Sequence, residues 1–301
     1  LGGGAIGVEL AQAMNRLGIK VTILEMAESI LPREDHEVRS LLQNHLVSEG
    51  VHIQGASKAI EVRKSDEGVE VDIESLGKVE TIKAEKLLLA LGRVPNMKEL
   101  DLDVAGIEYV RQGIKVNQYL ETTAPGVYAV GDVVGPYQLS HMANAQGILA
   151  VQNALLPFKK KINYDHVVWC TFTAPELATL GLNEEEALKR FGKEIRIVRY
   201  DLSQLDRVKT HFYEGGFVKL VLDKHGRVLG CTILAERAGE LISEILIMKH
   251  FKLKFKKIAN VVHPYPSYAE VFNKMGKQVL VENLFNQPII KLYRKLKNKI
   301  K

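Results

Sequence analysis

No stretch of the 301 residues approaches the roughly 18 consecutive apolar positions of a membrane span, and the run Leu87 to Leu91 is only long enough for a buried strand. Cysteine is scarce: Cys170 and Cys231 stand far apart among apolar neighbours and outside any Cys-x-x-Cys spacing. That excludes a disulfide framework and favours two small buried thiols in a reducing compartment, so the cytoplasm is the expected location and no metal site is expected. Basic charge is also scarce outside one place. The formal charge is +5, but residues 288–301 carry six Lys and Arg and no acid, which leaves 5 − 6 = −1 for the rest. A nearly neutral body gives no electrostatic footprint for nucleic acid. Repeats and low-complexity tracts are missing too. So is an initiating methionine: the chain opens on Leu1 and a glycine cluster that normally follows a strand, so it is expected to be the partial record of a longer chain whose targeting is out of view.

What is present reads as α/β followed by α+β. Apolar Ile6, Leu10, Ala13, Met14 and Leu17 recur at helical spacing, with Gly18 placed to end the helix. Ile19 to Leu24 reads as a buried strand, 34–48 as a helix, Val51 to Ile53 as a strand, 59–64 and 69–74 as a hairpin, and Leu87 to Leu91 as a further buried strand. A block punctuated by Pro95, Gly106, Gly113, Pro125 and Gly126 follows, with a strand predicted at Val127 to Val130 and a helix at 141–155. Pro157 to Lys161 is the best linker candidate. Beyond it come a strand, a helix (183–191), a strand (194–200), two strands about Asp223 to Gly226, and helices at 239–251 and 267–284. Strands and helices segregated in this way indicate an α+β domain.

The first chemical motif is Gly2-x-Gly4-x-x-Gly7 at the start of a helix, with Glu25 at the tip of the next strand. Gly2 permits a tight turn, Gly4 lets the backbone approach a pyrophosphate, Gly7 lets helix and strand pack closely, and the phosphates meet the helix N-terminus. A carboxylate at Glu25 accepts hydrogen bonds from ribose hydroxyls and repels a 2′-phosphate, and Met26, Ala27 and Glu28 supply no arginine. NAD is therefore favoured over NADP.

Three phrases then fall in register: Gly2-Gly3-Gly4-Ala5-Ile6-Gly7-Val8-Glu9, Ala90-Leu-Gly92-Arg93-Val-Pro95-Asn96, and Thr123-Ala-Pro-Gly-Val-Tyr-Ala-Val-Gly-Asp132. Together they resemble the pyridine nucleotide-disulfide oxidoreductases of the dihydrolipoamide dehydrogenase, mercuric reductase and glutathione reductase type. The resemblance implies a Rossmann-like NAD-binding domain over 1–92 without its first strand, the C-terminal segment of an FAD-binding domain over 93–158, an α+β dimerisation domain over 162–287, and a basic tail. It places Glu9 near the nicotinamide, Gly92 and Arg93 at the border of the NAD site, Asp132 on the FAD ribityl chain, and Gln138, Leu139, Ser140 and His141 under the flavin. Phe172-Thr173-x-Pro175-Glu176, Gly216-Phe217-Val218-Lys219 and Ala238-Gly239-Glu240-Leu241-Ile242 resemble phrases of the dimerisation domain, so a homodimer is implied.

One departure stands out. Where such proteins usually carry a histidine before the second proline, followed five residues later by glutamate, this chain reads His263-Pro264-Tyr265-Pro266-Ser267-Tyr268-Ala269-Glu270. An ordinary tyrosine titrates near pH 10 and mainly donates a hydrogen bond, so dihydrolipoamide chemistry is placed in doubt. No cysteine pair closes the chain, which weakens mercury reduction. The expectation is thus an FAD- and NAD-dependent oxidoreductase acting on a disulfide or another small molecule, with Tyr265, Glu270 and His263 as catalytic candidates. A transhydrogenase-like flavoprotein without a redox disulfide and a non-catalytic NAD or flavin sensor are the alternatives. The chain alone is not expected to hold FAD. The tail, with Ile289, Ile290, Leu292, Tyr293, Leu296 and Ile300 among its basic residues, is more readily a solvated terminus than a membrane-surface helix.

Overall fold

The computed structural model describes residues 1–211, 215–285 and 287, so the basic tail lies outside the described residues. The chain divides into two compact units, one of residues 1–90 with 168 onwards, the other of residues 91–167.

The first unit opens with helix α1 (Ala5–Arg16), ended by Leu17 and by Gly18 at φ 88°. The positive φ lets the Ile19 amide turn back to the Met14 carbonyl, at 3.1 Å, and the helix stops where the sequence predicts. Strand β1 (Thr22–Leu24) runs parallel to β2 (His52–Gln54), pairing Thr22 with His52 and Leu24 with Gln54. Between them lies helix α2 (His36–Ser48), whose first turn is capped by the Asp35 carboxylate accepting from the Glu37 amide. A three-stranded antiparallel meander follows: β3 (Ser57–Ser65), β4 (Gly68–Ser75) and β5 (Lys78–Ala84).

The predicted strand at Leu87 to Leu91 does not form, and Leu89 is 64% exposed. Its ladder reduces to one residue: the Ala90 amide donates to Leu1 and the Leu1 amine to Leu88, while Gly2 donates to Leu24 on the other side. Leu1 thus sits between β1 and residues 88–90, and one residue is too short a rung to define a strand. Ile19 to Val21 likewise stays outside β1.

In the second unit, described by itself, β6 (Tyr109–Val110) and β7 (Gly113–Ile114) form a small hairpin and helix α3 spans Ser140–Leu155. The strand predicted at Val127 to Val130 is only a bridge between Glu121 and Tyr128. Backbone hydrogen bonds from Thr122 to Val127 and from Ala129 to Leu120 flank that one bridge, which is too short a ladder to define a strand.

The first unit resumes with β8 (Val168–Thr171), β9 (Glu176–Gly181), α4 (Glu184–Phe191), β10 (Arg196–Asp201), the short α5 (Asp206–Thr210), β11 (Phe217–Leu222), β12 (Val228–Ala235), α6 (Ala238–His250) and α7 (Glu270–Phe285). The strands form one antiparallel sheet in the order β10-β11-β12-β9-β8. β11 is buried throughout, matching its nearly continuous apolar sequence, and Leu180, Leu220, Ile233, Ile245, Phe255 and Phe272 build the core beneath α6 and α7. A second core joins Val8, Ile23, Val38, Leu42 and Leu46 to Leu177, Phe217 and Leu234 of this sheet. The α/β part and the antiparallel sheet are one packed body.

Candidate functional site

The turn before α1 is built by its glycines. Gly2 has φ 99°, which costs a side-chain-bearing residue heavily. Gly7 lies buried in α1, where a Cβ would meet the Gly2 carbonyl oxygen at 2.0 Å. A Cβ on Gly4 would meet nothing within 4 Å, so the backbone there is open to an incoming group. Gly4 is the N-cap of α1, and no side chain caps the helix and no acid stands in its first turn. Free helical amides and the positive end of the helix dipole thus face outward at an open turn. Ala5 and Ile6 are exposed on that turn, whereas Val8 is buried in the core.

Glu25 holds the turn in shape. Its Oε2 accepts from the Gly3 amide at 2.5 Å and its Oε1 from the Ala27 amide at 2.8 Å. Each carboxylate oxygen keeps a second lone pair, so Glu25 retains capacity for sugar hydroxyls. Glu9 accepts from the Phe172 amide at 2.7 Å, and Gln12 exchanges two 2.8 Å hydrogen bonds with Ala174. α1 is thereby fixed to the turn between β8 and β9.

Within the second unit, Asp132 and Arg93 meet as an exposed ion pair at 3.7 Å, next to Gly92 at φ 103°. Asp132 belongs to a tight turn, Gly131–Val133, whose first amide donates to the fully buried Gln146 of α3. Gln138 and Leu139 lead into α3 and Ser140 and His141 begin it, again with no side-chain cap and no acid in the first turn. A second open helix start therefore stands beside the Asp132 turn, while Arg93 is the one cation joined to Asp132 by an ion pair among the described residues.

The loop 263–270 distributes its three candidates among different partners. Tyr265 is 70% exposed and donates to Asp206 at 3.0 Å. The His263 side chain is largely covered and pairs through Nε2 with Glu244 at 3.0 Å, and Glu270 reaches Lys274 at 3.3 Å. His263 Nδ1 and Glu270 Oε2 are buried with no hydrogen-bond partner among the described residues. Orphaned buried polar atoms are rare in folded proteins and mark places where a further group is met. Neither free cysteine is an activated thiol: burial pushes Cys170 up to about 12, helped by Glu176 and Glu9, and burial alone raises Cys231.

Two buried charged groups escaped the reading of the sequence. Glu34 accepts from Trp169 Nε1 and Thr179 Oγ1, each at 2.6 Å, and Lys219 pairs with Asp35, Glu37 and Glu184. Both tie the start of α2 to the antiparallel sheet. Lys219 had a signal, being the one charge in Phe217–Leu222; Glu34 had none, since its partners lie more than a hundred residues away.

Burial raises the Glu34 carboxyl above the usual carboxylate range, against the opposing pull of the Thr179 and Trp169 hydrogen bonds. A folded-state value above the unfolded one favours the protonated form, so Glu34 costs stability as pH rises from the unfolded value near 4.5 through the folded one. Glu34→Gln accepts from Trp169 and donates to Thr179 without charge. It is expected to raise the thermal midpoint at neutral pH and to lose that advantage near pH 4, as read from melting curves across pH.

Residues 1–147 match the family described as pyridine nucleotide-disulphide oxidoreductase, and residues 167–275 match the dimerisation domain of the same family. The chain belongs to the pyridine nucleotide-disulphide oxidoreductase family. It is 36% identical over 275 residues to a dihydrolipoyl dehydrogenase of Thermus scotoductus, covering 90% of this chain and 59% of that protein. A dihydrolipoyl dehydrogenase of Bacillus subtilis is 30% identical, with coverage of 91% and 58%. Among solved structures, the HOCl-induced flavoprotein disulfide reductase RclA of Escherichia coli superposes with a TM-score of 0.83 at 29% identity, covering 92% of this chain and 63% of that one. LpdA of Mycobacterium tuberculosis gives 0.85 at 27%, covering 92% and 60%. The chain therefore spans about three fifths of the length of these relatives. No helix among the described residues is long and apolar enough to cross a membrane.

Proposed function

We propose that this family member works in the cytoplasm as a homodimeric oxidoreductase using FAD and NAD, taking hydride from NADH and passing electrons to a disulfide or another small acceptor. The observation that carries the reading is the uncapped start of α1, opened by Gly4 and braced by Glu25. When bound, nicotinamide and flavin supply the hydride and electron chemistry, and the protein supplies binding and orientation. The amides of Gly4, Ala5 and Ile6 face the pyrophosphate, and Glu25 receives the adenosine ribose. Glu9 is steadied at the nicotinamide end by the Phe172 amide. Asp132 and residues 138–141, at the open start of α3, are assigned to FAD, with Gly92 and Arg93 at the NAD border. Residues 1–92, 93–158 and 162–287 are assigned to the NAD, FAD and dimerisation domains. The Tyr265 loop completes the acceptor side, where two orphaned polar atoms await partners.

Glu25→Gln tests the assignment. An amide accepts from either Gly3 or Ala27 with its one oxygen and no longer repels a 2′-phosphate. Weaker NADH binding by about tenfold is expected in calorimetry, with a smaller loss for NADPH. Equal losses for both nucleotides would remove Glu25 from the ribose site.

A further inference from the structure

In the loop where a histidine is expected, the structure shows what the tyrosine is tied to. Tyr265 and Asp206 lie 59 residues apart in sequence and meet at 3.0 Å, the phenol donating to Oδ2. Asp206 is placed there by the fold: it opens α5, the short helix between β10 and β11. We propose that Asp206 is the positioning residue of Tyr265, accepting the hydrogen bond of its O–H so that the phenolic oxygen meets the electron acceptor as a hydrogen-bond acceptor and not as an acid. This rests on the flavoenzyme reading above and names the residue that sets the behaviour of its acceptor side.

A phenol has one proton and two lone pairs. Once the proton is committed to a carboxylate, in a bond stronger than a neutral one, only the lone pairs point elsewhere. An electron acceptor carrying a thiol or hydroxyl donor suits such an oxygen, whereas one that needs a proton delivered to a departing thiolate does not. The charges around the phenol reinforce the assignment. Asp206 of α5 and Glu270 and Lys274 of α7 act on it, Lys209 acts on Asp206, and Tyr200 of β10 feels the same Asp206, Glu270 and Lys274. Lys209 approaches Asp206 at 3.6 Å and Lys274 approaches Glu270 at 3.3 Å, so each acid has its own cation. The Asp206 hydrogen bond, then its charge, holds Tyr265 above the ordinary tyrosine value; Glu270 adds to this and Lys274 opposes it. Tyr265 therefore keeps its proton throughout the neutral range. His263, the histidine of the loop, is turned to Glu244 with 7% of its side chain exposed and does not take its place.

The test is a near-ultraviolet titration of tyrosinate in the purified protein and in Tyr265→Phe, Asp206→Asn, Asp206→Glu and the Asp206→Asn, Tyr265→Phe double variant. Subtracting the phenylalanine variant from its parent isolates the one phenol. Its midpoint is expected above the ordinary value of about 10 with Asp206 present, shifted downward in Asp206→Asn, and still raised in Asp206→Glu. The same midpoint with and without the carboxylate would overturn the proposal. This readout does not depend on turnover. Calorimetric titration with NADH tests the nucleotide-binding part of the flavoenzyme reading separately and is expected to give the same affinity in Asp206→Asn as in the parent, because Asp206 lies outside the α1 turn. Absent NADH binding in the parent protein would overturn that reading and leave the Asp206 assignment to be decided by the tyrosinate titration.

Discussion

Gly7→Ala is expected to weaken NADH binding by about a hundredfold, because the added methyl falls where the turn already is. A Cβ at this position would lie 2.0 Å from the Gly2 carbonyl oxygen and 3.5 Å from the Ala90 side chain. A backbone oxygen cannot swing aside as a side-chain tip does. Either α1 slides outward or the Gly2 turn opens, and both displace the amides at the start of the helix from the position that cradles a pyrophosphate. The overpacking also costs about 1–3 kcal/mol of stability. Gly4→Ala is the control, since its Cβ would meet no protein atom within 4 Å. That variant is expected to melt like the parent and still to bind NADH poorly, because its methyl occupies the space of the ligand. Calorimetry on both, beside their melting curves, separates a damaged turn from an obstructed one. An alanine at position 7 with parental affinity would show that the turn is not the cradle.

Lys219→Met is expected to be the most destabilising substitution of a charged residue in the first unit, at about 3–5 kcal/mol in urea denaturation. Lys219 projects from an otherwise apolar strand, 7% exposed, and meets Asp35 at 3.0 Å, Glu37 at 2.9 Å and Glu184 at 3.1 Å. Burial pulls its pKa down, but the three carboxylates outweigh burial and hold the ammonium above the ordinary lysine value. Methionine fills the stem and removes the charge, leaving the Asp35 carboxylate buried without its cation. Asp35 also caps α2, so its repulsion from Glu37 and Glu184 is felt at the start of that helix. Adding Asp35→Asn keeps an acceptor at the cap while deleting the stranded charge, and is expected to recover a large part of the loss. No recovery would mean that the lysine stem, and not the ion cluster, holds α2 to the sheet.

The fold was legible wherever local pattern and long-range packing agree. The helical spacing of Leu10, Ala13, Met14 and Leu17 with Gly18 behind it marks α1, and Phe217–Leu222 announces a strand buried on both faces. Leu87 to Leu91 and Val127 to Val130 have the composition of strands, but their hydrogen-bonded partners shrink to single rungs. A strand is defined by its neighbours, which residue type does not report. The same limit applies to the site. Glycine spacing and the strand-end acid exposed the nucleotide turn because all its parts lie within 25 residues of one another. Asp206 was invisible because nothing near it in sequence requires an acid there, and only the packing of α5 against the Tyr265 loop gives it a role. Glu34 falls at the start of the helix predicted over 34–48, and its contact with Trp169 crosses 135 residues.

The open start of α1 is expected to receive NADH, with Glu25 reading the sugar beside it. Calorimetric titration of the purified protein with NADH and then NADPH decides this directly. One site per chain is expected, with NADH held at least about tenfold more tightly than its 2′-phosphorylated counterpart. Absence of heat with either nucleotide, or tighter binding of NADPH, would contradict it.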